Sequence, residues 1–118
     1  MSAPSTFFWR LGCASGASAV LLGAFGAHGL QARFAGHPDR EKLLSTWHTA
    51  SSYHLVHSGI LLIAASQRKQ LAAQLLAGGI AVFSGSLYAL VLSGVKVLGA
   101  VTPIGGLLLV GGWAAMLL

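Results

Sequence analysis

Apolar residues fill this chain in four long runs, separated by short clusters of charged and polar residues. The runs cover about residues 6–30, 44–66, 71–95 and 97–118, and the stretch 31–43 is the one substantial polar loop. A helix needs roughly 20 residues to cross about 30 Å of hydrocarbon. None of the runs alternates apolar with polar positions, and in lipid only helices or closed barrels satisfy the backbone. The pattern therefore predicts an all-α protein, an integral membrane four-helix bundle in which residues 1–118 form one domain. An even number of spans places both termini on the same side. The start of the fourth helix is open between Val97 and Thr102. Pro103 suits a first turn in one case and would kink the helix in the other.

Composition sharpens this picture. Of 118 residues, 55% are hydrophobic and 8% are charged, whereas soluble domains carry roughly 25% charged residues. A water-facing surface cannot be built from so little charge. The formal net charge of +5 would suggest nucleic acid in a soluble protein. Here Arg10 lies near the start of the first run, and Arg33, Arg40, Lys42, Arg68, Lys69 and Lys96 lie in the short breaks between runs. That placement suits anionic lipid headgroups as partners and excludes nucleic acid. The basic residues divide almost evenly between the two predicted surfaces, so they set no orientation. Trp9 and Trp113 fall toward the terminal side and Trp47 toward the opposite one, as interface anchors would. Asp39 stands where an N-cap is expected for a helix beginning at Arg40. The single cysteine, Cys13, excludes an intrachain disulfide.

Small residues recur at helical spacing. Gly12, Gly16, Gly23 and Gly26 mark the first run, Gly85 the third, and Gly105, Gly106, Gly111 and Gly112 the fourth. In lipid, helices associate through close approach across such residues, so these glycines are read as packing positions. GAFGAHG at 23–29 has the spacing G-x-x-G-x-x-G and follows no strand, which excludes a dinucleotide fingerprint.

No Asp, Glu, Lys or Arg lies in the middle of a run. Ion-coupled transporters keep carboxylates at depth, and a nucleophilic triad needs one, so neither activity is expected. The polar residues left inside are His28, Tyr53, His57, Ser84, Ser86 and Tyr88, with His54 and Ser58 nearby. At 1.5 Å per residue, His28 should lie about 3 Å and His57 about 14 Å below the surface of the 31–43 loop. Such side chains either hydrogen-bond between helices or hold a ligand. Metal or haem ligation by the pair at 54 and 57 lacks companions, so no metal and no cofactor is expected.

GAFGAHG at 23–29, YHLVHS at 53–58, FSGSLY at 83–88 and TPIGGLLLVGGW at 102–113 together resemble one family across nearly the whole chain. It comprises the small four-helix membrane proteins called transmembrane protein 256 in animals and YgdD-like proteins in bacteria, a domain of unknown function. The resemblance implies an integral protein of the mitochondrial inner membrane or the bacterial plasma membrane. It implies His28, Tyr53, His57, Ser84, Ser86 and Tyr88 as shared polar positions, and no activity. The expectation is a non-enzymatic structural or accessory subunit. It would pack against lipids and other membrane proteins, for example in an inner-membrane respiratory complex. The alternative is an intramembrane site for a quinone, a lipid headgroup or a metal, built on His28, Tyr53 and His57.

Overall fold

A computed structural model describes residues 2–118. Ser2 opens the first helix, accepting a hydrogen bond from the Ser5 amide at 3.2 Å. Pro4 lies in its first turn, where a missing N–H costs nothing. This helix, α1, spans Ala3–Ala27. The first apolar run does not continue as one helix to Leu30. The backbone breaks at His28 (φ −122°, ψ −67°) and restarts as a five-residue helix, α2, at Gly29–Arg33.

The second long helix, α3, spans Arg40–Ser66 and takes the charged residues 40–42 into its first turn. Asp39 precedes it as expected, but its carboxylate makes no cap. Instead the Asp39 amide donates to His37 Nδ1 at 3.0 Å. Helix α4 spans Gln70–Ser93 and stops at Gly94, which takes the left-handed φ of +73°. A tight 3-10 turn over Lys96–Ala100 leads to α5, Thr102–Ala115, with Pro103 in its first turn. The fourth helix therefore starts at Thr102. Its 14 residues reach only about 21 Å, so a crossing needs the preceding turn as well.

Three stretches, Ala3–Arg33, Gln70–Ser93 and Lys96–Ala115, are long and apolar enough to cross a membrane. α3 is long enough but carries more polar residues, and it is enclosed between α1 and α4. Contacts run in opposite order along neighbouring helices. Gly12 meets Leu62, Gly16 meets Ser58, Gly23 meets Ser51 and Gly26 meets Trp47, so α1 and α3 are antiparallel. Gly79 meets Leu109 and Gly112 meets Leu76, so α4 and α5 are antiparallel too.

The bundle is open rather than closed. The long helices form a row, α1–α3–α4–α5, whose outer members scarcely meet. Glycine explains the pairing. A Cβ on Gly12 would come within 2.7 Å of Leu62, and one on Gly112 within 2.7 Å of Leu76. At Gly26 it would strike the Trp47 indole, and at Gly105 the backbone of Phe83. Gly16, Gly23, Gly106 and Gly111 are in ordinary contact, whereas Gly85 has open space and serves no packing. Gly79, not singled out in the sequence, lies within 3 Å of Leu109 by the same measure: a Cβ would stand 2.6 Å from its Cδ2. The remaining faces of α1 and α5 carry exposed Phe7, Val20, Leu21, Ile104, Leu107 and Val110.

Two apolar clusters form the core. Leu61, Ala64, Ala73, Leu76 and Leu109 gather toward the α3–α4 turn. Leu30, Phe34, Trp47 and Val91 gather near α2. Between them α3 presents its polar residues.

The α3–α4 turn closes with Lys69 N–H on Ala64 C=O at 2.9 Å and Arg68 N–H on Ala65 C=O at 3.2 Å. This Schellman pattern calls for a left-handed residue, usually glycine. Here it is Arg68, at φ +57°, a conformation that costs a side-chain-bearing residue about 1 kcal/mol. Arg68→Gly should therefore stabilise the detergent-solubilised protein by about 0.5–1 kcal/mol in chemical unfolding. Arg68→Ala, which removes the charge but keeps Cβ, should gain nothing. Equal gains from both would assign the effect to charge.

Candidate functional site

The polar centre is organised by His54, which faces α1 on one side and α4 on the other. Its Nδ1 lies 2.9 Å from the Tyr88 hydroxyl and its Nε2 3.0 Å from Ser15 Oγ. Ser15 Oγ is 2.6 Å from Ser58 Oγ, and Ser58 donates to the His54 carbonyl at 2.7 Å. Counting protons fixes every direction in this chain of bonds. Ser58 spends its one proton on the His54 carbonyl, so it accepts from Ser15. Ser15 then has none left for His54 and accepts from Nε2–H. The only carboxylates, Asp39 and Glu41, lie in the polar segment before α3 and at its start, so a buried charge on this ring would be unpaired and the ring is neutral. Nδ1 then carries the lone pair, and the Tyr88 hydroxyl donates to it. His54 is thus a neutral imidazole with its proton on Nε2, joining three helices.

His57 has the opposite tautomer. The Trp113 indole can only donate, and its Nε1–H reaches His57 Nε2 at 3.0 Å. Nδ1 must then bear the proton, which it gives to the Tyr53 carbonyl at 2.7 Å. The Tyr53 ring stacks on His57, centroids 5.7 Å apart at 12°, and leans on Phe83 at 4.8 Å. Further bonds tie neighbours together. Ser84 donates to the Ala50 carbonyl at 2.8 Å. Ser86 donates to the Phe83 carbonyl at 3.0 Å and therefore accepts from Thr102, 2.6 Å away.

Of the residues singled out in the sequence, Tyr88, Ser84 and Ser86 hold α4 to α3 and α5. His57 ties α3 to α5, and Tyr53 covers it from the exposed side. His28 is not among them. It sits exposed at the α1–α2 break, while His57 lies ten residues along α3 from Trp47, about 15 Å away along the axis. The structure therefore does not bring His28 together with His57. The physical reason is the helix break, which turns His28 outward.

Two of the three tryptophans are held by hydrogen bonds within the protein. Trp47 is 2% exposed, with its Nε1–H on the Leu22 carbonyl at 2.7 Å and its ring 4.7 Å from Tyr88. It is a core residue, because Gly26 leaves room for the indole. Trp113 keeps an exposed ring surface, but its N–H is tied inward to His57. Trp9 remains exposed at the start of α1.

The sequence does not single out Ser15, and it brings in His54 and Ser58 only as neighbours of the shared polar positions. The signal lay in spacing: Ser58 stands four residues after His54, in position to bond back to its carbonyl. What the arrangement can do follows from its donors and acceptors. Both buried imidazoles use both nitrogens within the protein, which leaves no lone pair for a metal ion. Among the described residues, no group of three or more His, Cys, Asp or Glu gathers, and no buried side-chain N or O lacks a hydrogen-bond partner.

Residues 22–106 match the model of a family described as a protein of unknown function, DUF423. A UPF0382 membrane protein of Staphylococcus aureus (strain bovine RF122 / ET3-1) is 43% identical over 117 residues, covering 94% of this chain and 92% of the relative. The UPF0382 membrane protein YwdK of Bacillus subtilis is 40% identical over 114 residues, covering 90% of this chain and 89% of its own. No solved structure gives a significant match. These relatives are bacterial, and they give the mitochondrial alternative no support.

Proposed function

The chain belongs to the DUF423 family, whose relatives are named membrane proteins, and from that premise we propose that it is a non-catalytic packing subunit of a bacterial plasma membrane. The likeness to transmembrane protein 256 and YgdD-like proteins is, on this reading, one of shared packing motifs. The four long helices cross the bilayer, and both termini lie on one side of it. One observation carries the reading: among the described residues, the buried polar side chains are all satisfied by one another or by the backbone. They hold helices together and leave no polar group directed at a ligand. The open row of helices leaves α1 and α5 with broad apolar faces. Lipids and neighbouring membrane proteins are the partners such faces suit.

Extraction from native membranes in mild detergent tests this. The protein should migrate in an assembly well above its own 12.1 kDa plus the micelle, with one or more membrane proteins co-purifying. Recovery as a lone monomer under conditions that preserve other complexes would refute a packing role.

A further inference from the structure

An amphipathic cleft of about 630 Å³ opens where the chain enters α3 and leaves α4. Its inner wall is apolar, built from Leu43, Leu87, Leu90 and Val91, and its rim carries His37, Lys42 and Lys96. We propose that this cleft is a binding site for an anionic phospholipid. The headgroup phosphate lies between Lys42 and Lys96, and the first acyl carbons lie on the leucine wall.

Charge and donor inventory support this occupant. Both lysines are exposed, and neither ammonium has a hydrogen-bond partner among the described residues. His37 accepts the Asp39 amide on Nδ1, which leaves Nε2–H free to donate. Ser93 and Thr46, also at the cleft, spend their hydroxyl protons on the Ala89 and Lys42 carbonyls. Asp39 and the carbonyl end of α4 oppose an anion here, and two cations outweigh them. A free phosphate would use the rim alone. A phospholipid uses the rim and the apolar wall together, and the polar–apolar boundary of the cleft matches that of a lipid at the membrane interface. The site rests on α3 and α4 lying in a membrane and not on the packing role proposed above.

Native mass spectrometry of the full chain in detergent tests it, with phosphatidylglycerol and phosphatidylcholine as probes. Phosphatidylglycerol should be retained and phosphatidylcholine lost. A cation near anionic lipid is worth about a fivefold change in binding. Lys42→Gln with Lys96→Gln should therefore weaken retention about 25-fold. Arg68→Gln with Lys69→Gln, the same charge loss at the other end, should leave it within about twofold. Leu90→Trp, which fills the wall while keeping both lysines, should also displace the lipid and guards against misfolding of the double variant. Equal retention of the two lipids, equal loss from both charge pairs, or unchanged binding in Leu90→Trp would each overturn the proposal. Displacement by millimolar inorganic phosphate would likewise do so, by showing an anion site without a lipid.

Discussion

Gly105→Ala should destabilise the protein by about 2–3 kcal/mol, measured by thermal or denaturant unfolding in detergent. The reason is the identity of the neighbour. At Gly12 and Gly112 an added methyl first meets leucine side chains, at Cδ2 and Cγ, which can shift rotamer more readily than a backbone can move. At Gly105 it meets the backbone of Val82 and Phe83, which can give way only if α5 as a whole moves off α4. That movement also stretches the Ser86–Thr102 bond one turn away. Gly85→Ala is the paired control. Nothing lies within 4 Å of a Cβ there, so the exchange should be neutral or stabilise by up to about 1 kcal/mol through helix propensity. Equal losses at both positions would mean that general helix effects, not the α4–α5 contact, dominate.

His54→Ala should cost about 2–4 kcal/mol by the same measurement. Interhelical hydrogen bonds in membrane proteins average only about 0.6 kcal/mol, with a maximum near 1.7. The larger part of the loss comes from the void left where a side chain 7% exposed joined three helices, since buried large-to-small changes cost about 2–5 kcal/mol. Tyr88→Phe isolates the polar part. It removes one hydroxyl and keeps the ring against Trp47, so it should cost about 0.5–1.5 kcal/mol. A Tyr88→Phe loss as large as that of His54→Ala would show that the bond, and not the packing, carries the energy.

The helices were legible because length and apolarity are properties of single segments. Four runs gave four long helices, and Pro103 and the glycines marked turns and contacts that the fold uses. What sequence reading missed depends on how a helix is rotated and what stands opposite it. α3 is polar on much of its surface and packed on two sides, so its pattern does not say which partners positions 54 and 57 meet. His28 drew notice as an ionisable side chain in an apolar run, yet one break in the backbone turns it outward. Trp47 looked like an interface anchor by its distance from the loop. Only the absence of a side chain at Gly26, on another helix, makes room for it in the core. Similarly, Gly79 matters because Leu109 comes close, and that partner lies thirty residues away.

The claim that the polar centre binds helices and not a ligand rests on two imidazoles in opposite neutral tautomers. Nitrogen-15 NMR of histidine-labelled protein in bilayers, assigned with His54→Gln and His57→Gln, measures this directly. The expected result is a proton on Nε2 of His54 and on Nδ1 of His57, unchanged when a metal chelator or a quinone is added. A shared tautomer, a charged ring at neutral pH, or a nitrogen signal that moves with the added compound would contradict it.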